Sequence, residues 1–401
     1  MTKRVTDFLI IGGGIIGVNM AILARKRYPD RKVLLIEKEP DTGIHASGRN
    51  SGVLHAGFYY TSDSLKAKFT RDGNKALTEY CLEKGLSINR CGKLVVAKNE
   101  GELSTLQTLL ERGQKNGVEL YEITAKEASE IEPRIKTYQK ALNSPNTSSI
   151  DPREVLASLV KDATSLGIDI LTETMYLGKS ANGIKTNNGE IEAGYIINSA
   201  GLYADKIAKD FGFSQDHTII PFKGLYLISS EPKGAIKTNI YPVPDLNNPF
   251  LGVHFTITVT GKIKLGPTAI PAFWREHYKG LSNFKLGEFV DIASREMGFF
   301  VRNEFGFRSL ALQEILKYQK SYMVKLAQEM STGVEVSQYR QRGPAGIRAQ
   351  LFNTKSRKLE MDFYYEGDNR SFHVLNSVSP AFTCAFPFTE FLFNKIDALV
   401  E

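Results

Sequence analysis

The stretch TDFLIIGGGIIGVNMAILARKRYPDRKVLLIE, residues 6–37, decides the fold. Residues 6–11 read as a buried strand, and the glycines that follow break its apolar run, Phe8 to Ile11, too early for a secretory leader. Gly12-x-Gly14-x-x-Gly17 comes next, then a helical stretch to Tyr28, then a second apolar run from Val33 to Ile36 that ends in Glu37. Each part has a physical task. Gly12 permits a tight turn, Gly14 lets backbone approach a pyrophosphate, and Gly17 allows the helix to sit close on the strand. The amides at the start of the helix, with the positive end of its dipole, attract phosphate. Glu37 lies 37 − 17 = 20 residues beyond the last glycine, where a carboxylate accepts hydrogen bonds from ribose hydroxyls. A carboxylate there opposes a 2′-phosphate, which argues against NADP.

Working outward, the next segment separates the remaining dinucleotides. A nicotinamide-binding domain would continue with another helix and strand. This chain runs instead through Thr42-Gly-Ile-His-Ala-Ser47-Gly-Arg49-Asn50-Ser51-Gly-Val-Leu-His55-Ala-Gly-Phe-Tyr59-Tyr60, a long stretch without periodicity. Loops of that length inside a nucleotide fold are usually functional. In FAD-binding domains the backbone here passes the ribityl part of the cofactor, so FAD is expected over NAD.

Composition agrees with an ordinary globular protein. The 401 residues suit about two domains, with 42% apolar and 24% charged residues. Disordered and collagen-like architectures are excluded. The net charge of 51 − 44 = +7 favours anionic partners, but the basic residues are scattered and form no nucleic-acid-binding pattern. Cys81, Cys91 and Cys384 give neither a disulfide framework nor metal-ligand spacing, so no metal is expected and the compartment reads as reducing.

The segment Ser47–Tyr60 resembles the signature of FAD-dependent L-2-hydroxyglutarate dehydrogenases and oxidases, within the D-amino-acid-oxidase-like flavoproteins. Further blocks agree in order: Tyr241-Pro-Val-Pro-Asp245, Pro249-Phe-Leu-Gly-Val-His254-Phe-Thr256, Gly266-Pro267, Gly343-Pro-Ala-Gly346-Ile-Arg348-Ala-Gln350 and His373-Val-Leu-Asn376. The resemblance spans nearly the whole chain. It implies an α/β fold, with a Rossmann-like FAD-binding domain of glutathione-reductase type interleaved with a mixed-sheet α+β substrate domain. The expected division is 1–90, 141–220 and 340–401 for FAD against 91–140 and 221–339 for substrate. Two departures stand out: Thr268 where the family usually has Asn, and the bulky run Ala381-Phe-Thr-Cys-Ala-Phe-Pro-Phe388. They leave open a sister substrate, such as another hydroxy acid, an amino acid or glycerol 3-phosphate.

The implied reaction is oxidation of L-2-hydroxyglutarate to 2-oxoglutarate, with electrons passed to a quinone or oxygen. Such a dicarboxylate needs a base and a cation or donor for each carboxylate. Imidazole suits the base, with an ordinary pKa of ~6.5. His55 and His254 sit in the resembling blocks, and the sequence does not separate them. Arg348 is the first carboxylate candidate, because guanidinium binds both oxygens at once. Arg49, Tyr59, Tyr60 and Thr256 are secondary candidates for substrate. Gly12, Gly14, Gly17, Glu37, Ser47, Asn50, Ser51, Gly201, Gly346 and Ser379 are the expected cofactor-binding residues.

Residues 286–330 interleave Phe289, Met297, Phe299, Phe300, Val301, Phe305 and Phe307 with Arg295, Arg302, Arg308, Lys317, Lys320 and Lys325. That pattern suits a helix lying in a membrane interface, although Glu288, Asp291, Glu296, Glu304, Glu314 and Glu329 dilute the charge. The expectation is a cytoplasmic protein with an interfacial contact on the inner face of the membrane.

Overall fold

The computed structural model describes residues 4–246 and 251–400. Pro249 and Phe250 of the third resembling block lie outside the described residues, as does the side chain of Phe305. The chain forms two compact units, one of 1–50, 152–221 and 348–401, the other of 51–151 and 222–347.

The first unit is built on the opening strand. Strand β1 (Arg4–Ile11) pairs in parallel with β2 (Val33–Ile36) on one edge and with Gly189–Asn198 on the other. Asp169–Leu171 extends the sheet beyond β2, also in parallel. The outer edge of Gly189–Asn198 is shared. Gly183–Thr186 pairs antiparallel with its first half, and Ser371–Asn376 pairs parallel with its end. Both faces of β1 are covered over Phe8–Ile11, which is why that part of the strand is a continuous apolar run rather than an alternation. Leu9 and Ile11 pack with Leu34, Ile36 and Ile207 of the helix Ala204–Asp210. Phe8, at the alternate register, meets Tyr28 and Phe393 of the helix Ala385–Val400 at 5.1 and 6.3 Å between ring centroids. Helix α1 (Ile15–Arg27) is buried at Ile15 to Ile22 and again at Ala24, as expected of a helix enclosed by protein rather than lying on the surface.

The second unit is organised around a mixed eight-stranded sheet. Lys93–Val96 lies centrally, parallel to Asn239–Pro242 and antiparallel to Lys140–Ser144. His254–Ile257 pairs with Asn239–Pro242 and with Ile263–Gly266. Alternation sorts the side chains. Phe255 and Ile257 face a core with Ile240, Met323 and Val324, whereas Val95 and Tyr241 face another with Phe58, Tyr59 and Leu109.

Segments 51–90 and 141–151, expected with the cofactor domain, cluster with this second unit. The reason is that Lys140–Ser144 pairs with Lys93–Val96 in the eight-stranded sheet and Phe58 and Tyr59 pack in its core, while a small sheet ties Val53–Leu54 and Ile88–Asn89 to Ser148–Ile150. Asn74 reinforces it, donating to the carbonyls of Leu54, His55 and Asn146 at 3.0–3.2 Å.

Both departures from the resemblance are explained by packing. The Thr268 hydroxyl donates to the Lys223 carbonyl and accepts from the Leu225 N–H, each at 3.0 Å, so its polar capacity serves the backbone. Phe388 is buried and stacks on Phe363 at 4.1 Å within the first unit, so the bulk at that position fills a core.

Candidate functional site

Each unit holds, among the described residues, a group with the geometry for the expected chemistry. In the first unit the glycine turn joins β1 to α1. Gly12 has φ of +111°, and a Cβ built on it would lie 2.7 Å from the Ser199 carbonyl oxygen, so only glycine fits. A Cβ on Gly17 would lie 1.9 Å from the Gly12 carbonyl oxygen, which accounts for the close approach of helix and strand. Gly14 is extended, with φ of −82°, and its built Cβ meets only the Ser47 Oγ, at 3.0 Å.

The donors at this end of α1 are aligned by neighbours from the following loop. The Ile15 N–H donates to Ser47 Oγ at 2.9 Å. The Gly13 N–H donates to Glu37 Oε2 at 2.8 Å, and the Glu39 N–H to Glu37 Oε1 at 3.0 Å. No acidic side chain occupies the first turn of α1, and Gly14 supplies no side-chain cap. A glycine cradle at an acid-free helix start, with a carboxylate at the end of β2, fits the diphosphate and ribose of a dinucleotide.

The other expected cofactor residues are placed as follows. Asn50 donates to the Ser47 carbonyl at 2.8 Å, shaping the loop. Gly201, at φ +52°, is exposed with open space around its α-carbon, just after the strand Gly189–Asn198. Ser379 is exposed in the turn after Ser371–Asn376. Ser51 and Gly346 belong to the second unit.

The second unit gathers most of the remaining candidates on one sheet face. His254 and Thr256 project to the same side of their strand, opposite Phe255. The His254 ring stacks on Tyr241, 3.7 Å between centroids and 17° between planes, and His55 meets Tyr241 edge-on at 6.5 Å. Lys93, on the strand beside that of Tyr241, places its Nζ 4.5 Å from the Tyr241 ring centroid. Tyr59 is buried against the same group, 5.0 Å from the Lys93 Nζ and 4.4 Å from Phe58. Tyr60 is only partly buried and faces Lys66 instead.

The electrostatics of this face follow from burial. Loss of water pushes His254 down to about 3, and the nearby Lys93 charge acts in the same direction. His55 is held well below the usual imidazole range by burial, then by Lys93 and His254. Both rings are therefore neutral at neutral pH. His254 Nδ1 lies 2.8 Å from the Gly252 carbonyl oxygen. A carbonyl only accepts, so Nδ1 carries the hydrogen and Nε2 keeps a free lone pair.

Arg348 and Arg49 belong to the first unit. Arg348 Nε donates to Gln350 Oε1 at 3.1 Å, and Arg49 Nε donates to the Ile44 carbonyl at 2.6 Å. The other histidines have structural partners: His373 with Asn198 and Ser371, His217 with Asn353, His45 with Glu39, and His277 stacked on Trp274. Sequence reading missed Lys93 and Tyr241. The one available signal was a lysine opening an apolar strand, in register with inward-facing Val95.

The pattern of the family described as FAD dependent oxidoreductase matches residues 7–368. The chain is 36% identical to the mitochondrial L-2-hydroxyglutarate dehydrogenase of Bos taurus, over 97% of this chain and 88% of that protein. It is 35% identical to L-2-hydroxyglutarate dehydrogenase of Escherichia coli K12, over 98% of this chain and 94% of that one. Among solved structures, L-alpha-glycerophosphate oxidase from Mycoplasma pneumoniae with FAD bound superposes with a TM-score of 0.79, covering 99% of this chain and 95% of that chain at 22% identity. Glycine oxidase from Geobacillus kaustophilus gives 0.73 at 16% identity, over 98% and 95%. These two likenesses show the fold, with its interleaved α/β organisation.

Proposed function

The chain belongs to the family of FAD-dependent oxidoreductases, and from that premise we propose that it oxidises L-2-hydroxyglutarate to 2-oxoglutarate. The observation that carries this reading is the near full-length similarity to dehydrogenases named for that substrate. The neutral imidazole pair on the sheet face of the second unit supports it.

FAD, when bound, supplies the acceptor for the hydride that leaves C2. In this reading Gly12, Gly14 and Gly17 with Glu37 and Ser47 hold its diphosphate and ribose, and Asn50, Ser51, Gly201, Gly346 and Ser379 complete its contacts. His254 Nε2 takes the proton of the C2 hydroxyl, because its tautomer leaves that nitrogen free. His55 lies across the Tyr241 ring as a positioning partner. The Arg348 guanidinium, steadied by Gln350, binds a substrate carboxylate through paired hydrogen bonds. Arg49, Tyr59, Tyr60 and Thr256 are the remaining substrate contacts proposed.

An anaerobic titration of the purified holoprotein with a panel of hydroxy acids, amino acids and glycerol 3-phosphate tests this. L-2-hydroxyglutarate is expected to bleach the flavin band fastest. Reduction by another member of the panel, with L-2-hydroxyglutarate inert, would sink the substrate assignment.

In this reading the electrons pass to a quinone or to oxygen, and the protein lies in the cytoplasm, against the inner face of the membrane. No helix among the described residues is long and apolar enough to cross a membrane. The helix Leu286–Arg302 nevertheless exposes Val290, Met297 and Val301 at 57%, 62% and 60%. Leu312 and Ile315 of the helix Phe307–Leu316 are exposed as well, with Lys285, Arg302 and Arg308 nearby in sequence. Exposed apolar rows beside cations suit an interfacial contact with anionic lipid. In flotation with anionic liposomes the protein is expected to rise with the vesicles at low salt and partly detach at high salt. Protein that stays at the bottom of the gradient under both conditions would remove the contact.

A further inference from the structure

Lys93 is a charge that neither packing nor proton transfer explains. It opens a strand buried along its whole length and is itself 0% exposed. Phe58, Tyr59 and Tyr241 surround the ammonium, with Nζ 5.1, 5.0 and 4.5 Å from their ring centroids. Aromatic faces attract a cation, but they do not replace the hydrogen bonds lost with water. Nζ has no hydrogen-bond partner among the described residues. The same holds for three hydroxyls on this face, those of Tyr59, Tyr241 and Thr256. Thr256 lies near enough to Tyr241 to ease its ionisation, yet neither closes a hydrogen bond of good geometry.

Buried polar groups are nearly always paired, and a buried ammonium without a counter-charge is especially unfavourable. Here several unpaired groups share one face. Burial lowers Lys93 to about 7, and only the Cys91 sulfur acts in the other direction. The neighbouring imidazoles are neutral and offer no competing cation. One cation, rotatable hydroxyl donors and aromatic walls together match an anionic group carried on a short hydrocarbon chain.

We propose that Lys93 Nζ seats a carboxylate of the substrate, with the hydroxyls of Tyr59, Tyr241 and Thr256 as supporting donors. The proposal rests on the dicarboxylate reading above, and adds a second cation to the one proposed at Arg348. The counter-charge that Lys93 lacks among the described residues arrives with the ligand.

Glutarate, a dicarboxylate without the oxidisable hydroxyl, is the probe. Calorimetric titration of the holoenzyme is expected to show binding that weakens by about 100-fold in Lys93→Met, as for loss of one partner of a buried charge pair. Without ligand, Lys93→Met is expected to keep its FAD and to melt at or above the wild-type temperature, since it removes an unpaired charge. A purely structural lysine would show the opposite, lower melting. Unchanged glutarate affinity, or lost affinity accompanied by lower melting, overturns the proposal. Should the variant fail to fold, a crystal structure of wild-type holoenzyme with glutarate decides the matter. A carboxylate oxygen about 3 Å from Nζ upholds the seat, and glutarate bound elsewhere overturns it. If L-2-hydroxyglutarate does not reduce the flavin while glutarate binding still depends on Lys93, the substrate assignment falls and the carboxylate seat stands. The reverse pattern overturns the seat alone.

Discussion

Gly14→Val is expected to give a folded but colourless protein. The backbone at Gly14 is extended, a conformation valine adopts readily, and a Cβ there meets only the end of the Ser47 side chain at 3.0 Å. The chain can therefore accommodate the change by a small movement of Ser47. The diphosphate cannot, because the added methyl groups occupy the space through which backbone amides reach it. FAD released on denaturation should fall more than about tenfold, with the circular dichroism spectrum unchanged. Gly17→Val makes the contrast. Its Cβ would meet the Gly12 carbonyl oxygen at 1.9 Å, so helix and strand must separate and the protein itself should lose stability. A yellow Gly14→Val protein with full FAD content would show that the cofactor does not cross this turn.

The second large effect is expected at His254. His254→Asn should slow anaerobic flavin reduction by ~10²–10⁴-fold, the usual contribution of a general base. The asparagine Nδ2 stands where the imidazole Nδ1 does and can still donate to the Gly252 carbonyl, so FAD content and melting temperature should change little. A reduction rate within about threefold of wild type would move the base to His55. The pH dependence carries the same information. Burial, then Lys93, lowers His254 to about 3 in the free protein, so its proton-accepting form persists well below the ordinary imidazole range. Lowering the pH from neutral to about 5 should therefore produce no loss of kcat/KM centred near 6.5. A clear loss there would identify a base that is better solvated than His254.

The nucleotide-binding half was legible in the sequence because its signals are local. Strand, glycine turn, helix, second strand and terminal carboxylate occur within residues 6–37, and each is dictated by near neighbours along the chain. Residues 6–11 already read as a buried strand. His55, His254 and Arg348 were picked out by the company they keep in short blocks, again a local property.

Tertiary structure decided the rest. Residues 51–90 join the second unit because Phe58 and Tyr59 pack with Val95, Leu109 and Tyr241, and because Val53–Leu54 and Ile88–Asn89 pair with Ser148–Ile150, whose neighbouring strand Lys140–Ser144 enters the eight-stranded sheet. No local pattern names these partners. Thr268 reads in sequence as a change near the substrate, and the fold commits its hydroxyl to two backbone groups. The proposal of His254 rather than His55 as the base rests on the Gly252 carbonyl, which sets the His254 tautomer. The setting of Lys93 is the most distant from sequence. Its strand, that of Tyr241 and that of His254 come side by side only through long-range pairing. Burial and counter-charge depend on what surrounds a side chain in space, so residues 6–37 declared the nucleotide fold by themselves, whereas the chemistry of Lys93 exists only once three separated strands share a sheet.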